Sequence, residues 1–243
     1  MVRSEKRLSG LILGVILLSA LFLRLGQAVF MENNPIVRQT INSWVFDQFR
    51  CYQWALDLYR GNWQGKEELF VYGPLYSYLM AGLFKLFGIS TIWMRILQGI
   101  FGMVSSFLVY KIAKHFFSRT VAIIAAFITV FYGPFVFHDS DLLRTSLVTF
   151  LGVLSCWCVL RAESKGDILS WFFSGLILGL DILLQPTLLP LFLALYLLFI
   201  PLHKTGSPQS KHLLSRFLLR KPLRSRYLKL LMLLSGIILT LFP

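Results

Sequence analysis

Apolar residues run along this chain in long blocks, not in the strict alternation of a half-buried strand or the narrow stripe of a soluble helix. The blocks cover residues 8–25, 91–113, 121–137, 142–160, 168–184, 188–202 and 228–242. A helix needs about 20 apolar residues to cross a bilayer, and fewer suffice when its ends are flanked by interfacial side chains. The pattern therefore predicts an all-α, polytopic transmembrane helix bundle of about seven spans.

Segment 72–88 breaks the pattern. It opens on Gly73-Pro74, carries Lys85 and is barely long enough to cross. It reads as an amphipathic helix lying on the membrane interface. Ahead of it Ser43 is a fair N-cap, residues 44–60 place aromatics and leucines at helical spacing, and Gly61-Asn62 makes a stop. Residues 27–90 thus form a loop with its own juxtamembrane helices. No internal repeat or low-complexity stretch interrupts the 243 residues.

Charge orients this arrangement. If 72–88 does not cross, Lys111, Lys114 and Arg119, then Arg161 and Lys165, then the basic 203–229 loop all fall on the side of Arg3, Lys6 and Arg7. If it crosses, all three clusters move to the opposite side. Positive residues stay cytoplasmic, so the N-terminus is expected inside, and the 27–90 loop and the 132–141 turn outside. The basic N-terminus ahead of residues 8–23 suits a signal peptide or a signal anchor, and the further spans favour the anchor.

Composition agrees with a lipid solvent: 56% of residues are hydrophobic and the mean hydropathy is +0.69. The net charge of +13 sits in short clusters between spans, without a basic stripe interleaved with stacking aromatics, which argues against nucleic acid. Cys51, Cys156 and Cys158 form no disulfide framework, and His115 and His138 lack partners at metal-ligand spacing. No metal or cofactor is expected.

Two polar stretches carry candidate chemistry. Asp47 has Arg50 on the same helical face. At a membrane surface such a carboxylate is a general base or, more plainly, a helix-start acid favoured by the dipole. Asp57 and Arg60 read as a solvated pair. The run His138-Asp139-Ser140-Asp141-Leu142-Leu143-Arg144 is either a cap with a snorkelling arginine or part of a site. Topology brings Asp47 and Asp139/Asp141 to one face despite about ninety intervening residues, which favours a shared site. Asp181, four residues before Gln185, is an intramembrane acid, either functional or satisfied by a neighbouring helix. Arg24 ends the first span, placed to hold a phosphate or to snorkel.

The order Asp47, Tyr52-Gln53-Trp54-Ala55, Gly61-Asn62-Trp63, Tyr72-Gly73-Pro74-Leu75-Tyr76 and Phe87-Gly88 resembles the first extracytoplasmic loop of polyprenyl-phosphate-dependent glycosyltransferases of the GT-C class. These are relatives of protein O-mannosyltransferases and aminoarabinose transferases. The likeness continues through Arg95-Ile96-Leu97-Gln98, Val109-Tyr110-Lys111-Ile112-Ala113, Asp141-Leu142-Leu143 and Gly175-Leu176-Ile177-Leu178-Gly179-Leu180.

The resemblance implies an inverting transferase in the cell membrane, taking a sugar from a polyprenyl-phosphate donor to an acceptor protein or lipid. It implies Asp47 as catalytic base and Asp141 as the second acid, with Asp139 its competitor. It also implies Arg24, Arg50, Tyr52, Tyr72, Arg144 and Gln185 as substrate-binding residues. Relatives often carry Arg before Pro where this chain has Gln185-Pro186, and a small apolar residue in place of Asp181. Relatives are also longer, so the chain is expected to be the N-terminal part of a longer protein. The competing reading is a non-catalytic or truncated membrane module that binds lipid-linked glycan or a partner bundle. A transporter, suggested by Asp181, is a third.

Overall fold

The computed structural model describes residues 2–62, 73–165, 167–188 and 223–241. The elements are α1 (Val2–Asn33), α2 (Pro35–Thr40), α3 (Asp47–Tyr59), α4 (Pro74–Phe87), α5 (Ile92–Phe116), α6 (Arg119–Phe131), α7 (Gly133–His138), α8 (Thr145–Lys165), α9 (Ile168–Leu184), a 3-10 turn (Pro186–Leu188) and α10 (Leu223–Leu241). The described residues form an all-α membrane helix bundle without strands.

Three helical stretches are long and apolar enough to cross a bilayer: Leu8–Asn33, Ile92–Phe116 and Thr145–Lys165. Shorter apolar helices are Arg119–Phe131, Ile168–Leu184 and Leu228–Leu241. The expected span at 188–202 and most of the 203–229 loop lie outside the described residues, as does Tyr72.

Three boundaries differ from the sequence expectation, each for a local reason. The expected 121–137 span ends at Phe131, because Tyr132 turns extended ahead of Pro134, which opens α7. The next helix begins at Thr145 and not at 142. Gln98 on α5 donates to the carbonyls of Asp141 and Leu143 at 2.9 and 3.0 Å, holding that backbone in a turn. The platform helix begins at Asp47 with Phe46 at its N-cap, so Ser43 is not the cap; the Ser43 carbonyl instead accepts from Phe46 N–H in a preceding turn.

The described residues 34–62 and 73–90 lie between the end of α1 and the start of α5, which meet at one end of the bundle. Glu32, in the last turn of α1, accepts from Thr91 Oγ1 at 2.6 Å and from Arg95 Nε at 3.0 Å at the start of α5. Between these points α3 and α4 pack on each other through Cys51, Trp54, Leu58, Tyr76, Met80 and Phe84, in one core cluster with Leu142 and Leu184. Helix α4 starts with Gly73 against the carbonyls of Leu183 and Leu184 at the end of α9. It finishes with Phe87 against Trp93 on α5, at 4.8 Å between ring centroids. It thus lies across the bundle's end and not along its axis.

The opposite end is basic. Lys111 and Lys114 close α5, Arg119 opens α6, and Arg161 and Lys165 close α8. There Lys229 pairs with Glu163 and sits over the Trp171 ring.

Helices α9 and α10 meet at glycines. A Cβ on Gly236 would meet the Phe172 carbonyl and the Leu176 nitrogen, and one on Gly175 the Leu233 carbonyl. Close backbone approach is how helices associate in lipid, where apolar burial offers no gain over the solvent. Gly236→Ala is therefore expected to push the pair apart and destabilise the protein by about 1–3 kcal/mol, read as a lowered melting temperature in detergent.

Candidate active site

The acidic turn between α7 and α8 is held from three directions. From α5, Arg95 Nη1 donates to the Ser140 carbonyl and Gln98 Nε2 to the carbonyls of Asp141 and Leu143. From α3, Gln48 Nε2 donates to both carboxylate oxygens of Asp141, at 3.1 and 3.2 Å. From α1, Arg24 Nε donates to Asp139 Oδ2 at 2.7 Å.

The two acids of this turn consequently face different partners. Asp141 turns toward α3, caps Leu142 N–H with Oδ1 at 2.9 Å and is 9% exposed. Asp139 turns toward α1 and α8, where Ser146 Oγ also donates to it at 2.7 Å. Arg24 is 1% exposed, and its Nη1 reaches the carbonyls of Ala20 and Val130. Its Nε and Nη1 are thus both bonded within the protein. Burial raises the Asp139 carboxyl above its usual range, although Ser146 and Arg24 act to lower it. The ion pair lies directly on Gly102, where a Cβ would overlap both Asp139 and Arg24.

Asp47 is the first residue of α3 and is exposed, as is Arg50. Its neighbour Gln48 ties this first turn to Asp141, so the sequence-distant acids share one region. Arg144 joins them: its charge and that of Asp47 both act on Cys51. The Cys51 thiol is raised to about 11, chiefly by burial. Tyr52 is half-buried, its ring edge-on to Phe84 at 5.9 Å. Gln185 caps α9, its N–H bonded to the Asp181 carbonyl at 3.0 Å. Asp57 pairs loosely with Arg60 at 3.9 Å.

Sequence reasoning did not single out Gln48, Arg95, Gln98 or Tyr76 as site residues. Tyr76 is 0% exposed with a hydroxyl that has no hydrogen-bond partner. Burial raises it well above the ordinary phenol value, and the negative charge of Asp141 acts in the same direction. A phenol so placed remains a proton donor. Its only signal in the chain was its place in Tyr72-Gly73-Pro74-Leu75-Tyr76. Asp181, fully buried on α9, has neither carboxylate oxygen hydrogen-bonded. Its Oδ2 lies against Gly152 of α8, so it faces the interior of the bundle.

Among the described residues no group of three His, Cys, Asp or Glu side chains is arranged to hold a metal ion. The arrangement offers acid–base and hydrogen-bonding chemistry: one exposed carboxylate, one oriented carboxylate, an arginine and a buried phenol at one end of the bundle.

Comparison with known proteins places this architecture. No curated protein and no solved structure matches the chain. A family model described as dolichyl-phosphate-mannose-protein mannosyltransferase matches residues 72–241, from the lead into α4 to the end of α10. That is well over half of the sequence, and the chain belongs to this family of membrane glycosyltransferases.

Proposed function

We propose that this protein transfers a sugar from a polyprenyl-phosphate donor to an acceptor at the extracytoplasmic face. The observation that carries the reading is the Gln48–Asp141 contact, made across 93 residues of sequence. It joins the turn bearing Asp47 to the acidic turn at the end of the bundle remote from the basic clusters.

In this reading Asp47 is the general base. The acceptor hydroxyl or amine attacks the anomeric carbon as its proton passes to the Asp47 carboxylate. The bond from that carbon to the phosphate oxygen breaks, and polyprenyl phosphate leaves with the electron pair. Attack opposite the leaving group inverts the anomeric centre. Asp141, fixed by Gln48, is the second acid and orients the acceptor or sugar. Arg50, Arg144 and Gln185 are assigned to the phosphate and sugar, while Asp139 serves the fold. The polyprenyl tail stays among the apolar helices, in contact with membrane lipid.

Sidedness follows from the basic end facing the cytoplasm. An impermeant thiol reagent applied to sealed cells is expected to label Asn62→Cys and not Ser164→Cys. The reverse result would invert the topology and with it the face of transfer. For the reaction itself, the test is movement of label from polyprenyl-phosphate mannose into an acceptor fraction.

A further inference from the structure

A cavity of ≈ 370 Å³ opens beside the acidic turn, lined from α1, α5, α6, α7 and α8 but by no residue of α3. Small-molecule sites range over about 300–1,000 Å³, so the space suits a compact ligand. It extends from Gly102 and Ser146 to Val109 and Val153, two turns farther along α5 and α8, a depth of about 10 Å.

Its chemistry is specific. Arg24 and Asp139 form part of the wall as a bonded pair, so their formal charges cancel. Ser105, Thr129 and Thr149 each donate their hydroxyl hydrogen to a carbonyl one turn back, at 2.8, 2.8 and 2.9 Å. Their oxygens keep lone pairs that can accept. His138 adds a buried Nδ1 with no hydrogen-bond partner. On the accessible side stand Tyr132, 50% exposed, and Phe135, 37% exposed, in edge contact at 5.0 Å.

A phosphate entering this space would find a guanidinium already bonded to Asp139 and two carbonyls, and would meet the Asp139 charge. A cation would meet Arg24. A ligand carrying several hydroxyl donors and an apolar C–H face would match the acceptors and the rings together.

We propose that this cavity binds a neutral polyhydroxylated ligand about one sugar ring in size. The site uses neither Asp47 nor Asp141 and does not rest on the transfer reaction. The ligand chemistry is shared by two sources, a free saccharide and the glycosyl head of a membrane lipid entering from the side.

Saturation-transfer NMR on the full chain in nanodiscs tests this with methyl α-mannoside and octyl α-mannoside as probes. Transfer to the ring protons of either probe is expected. A response from both identifies the free saccharide as a sufficient ligand, and a response from the octyl compound alone identifies the lipid-borne source. Thr149→Phe, which fills the cavity, should abolish the signal. Thr149→Val, which keeps the volume but removes one hydroxyl, should weaken binding about fivefold while the melting temperature stays at the wild-type value. The proposal is overturned if neither probe responds, or if the response is unchanged in folded Thr149→Val and Thr149→Phe. It is also overturned if inorganic phosphate displaces the glycosides, since the cavity would then be an anion site.

Discussion

Replacing Asp47 by Asn is expected to lower sugar transfer by about 10²–10⁴-fold, the range a positioned general base contributes, without changing the fold. The substitution keeps the size of the side chain and removes only its ability to take a proton. Asp47 is exposed at the start of α3, so the substitution falls on the surface and not in the core. The helix loses a favourable dipole contact worth about 0.3–1 kcal/mol. Initial rates with saturating donor, alongside thermal unfolding, separate the two effects. Asp57→Asn is the internal control. That residue pairs with Arg60 at 3.9 Å near the end of α3, a surface interaction of little consequence, and its transfer rate should match wild type.

Asp139→Ala is expected to have the largest effect on stability, about 3–5 kcal/mol, because it strands the guanidinium of Arg24 in a site where that residue is 1% exposed. The lost bonds are the 2.7 Å contact with Arg24 and the 2.7 Å contact with Ser146. Removing both charges in an Arg24→Leu, Asp139→Leu double variant should recover most of the loss, since a buried pair replaced by apolar side chains is often neutral. Denaturant unfolding in mixed micelles measures both. Asp141→Asn, by contrast, keeps the size of the side chain and one oxygen to accept from Leu142 N–H and Gln48, loses only the second Gln48 contact, and should unfold close to wild type. An Asp139→Ala protein as stable as wild type would contradict the structural role assigned to this pair.

The helical spans were legible because their signal is local: a run of apolar residues and its flanking charges. The same holds for α4 as a helix, which Gly73-Pro74 opens and Gly88 closes. The break at Tyr132 was legible only as the start of the outer turn at 132–141, because the apolar run itself continues across it to Phe137. The roles of the two acids in the turn were beyond the sequence for a different reason. Asp139 and Asp141 are two residues apart and chemically identical, and what separates them is Arg24 at 115 residues and Gln48 at 93 residues of distance. Such pairings leave no periodicity to read. Gln98, which shapes the turn, likewise looked like one polar residue in an apolar helix.

In the proposed reaction the turn bearing Asp47 and the acidic turn form one transfer site. Its most direct test compares wild-type and Asp141→Asn membranes for movement of labelled mannose from polyprenyl-phosphate mannose into an acceptor fraction, at matched amounts of folded protein. The account predicts transfer by wild type and its loss in Asp141→Asn. Undiminished transfer by folded Asp141→Asn, or none by wild type, would contradict it.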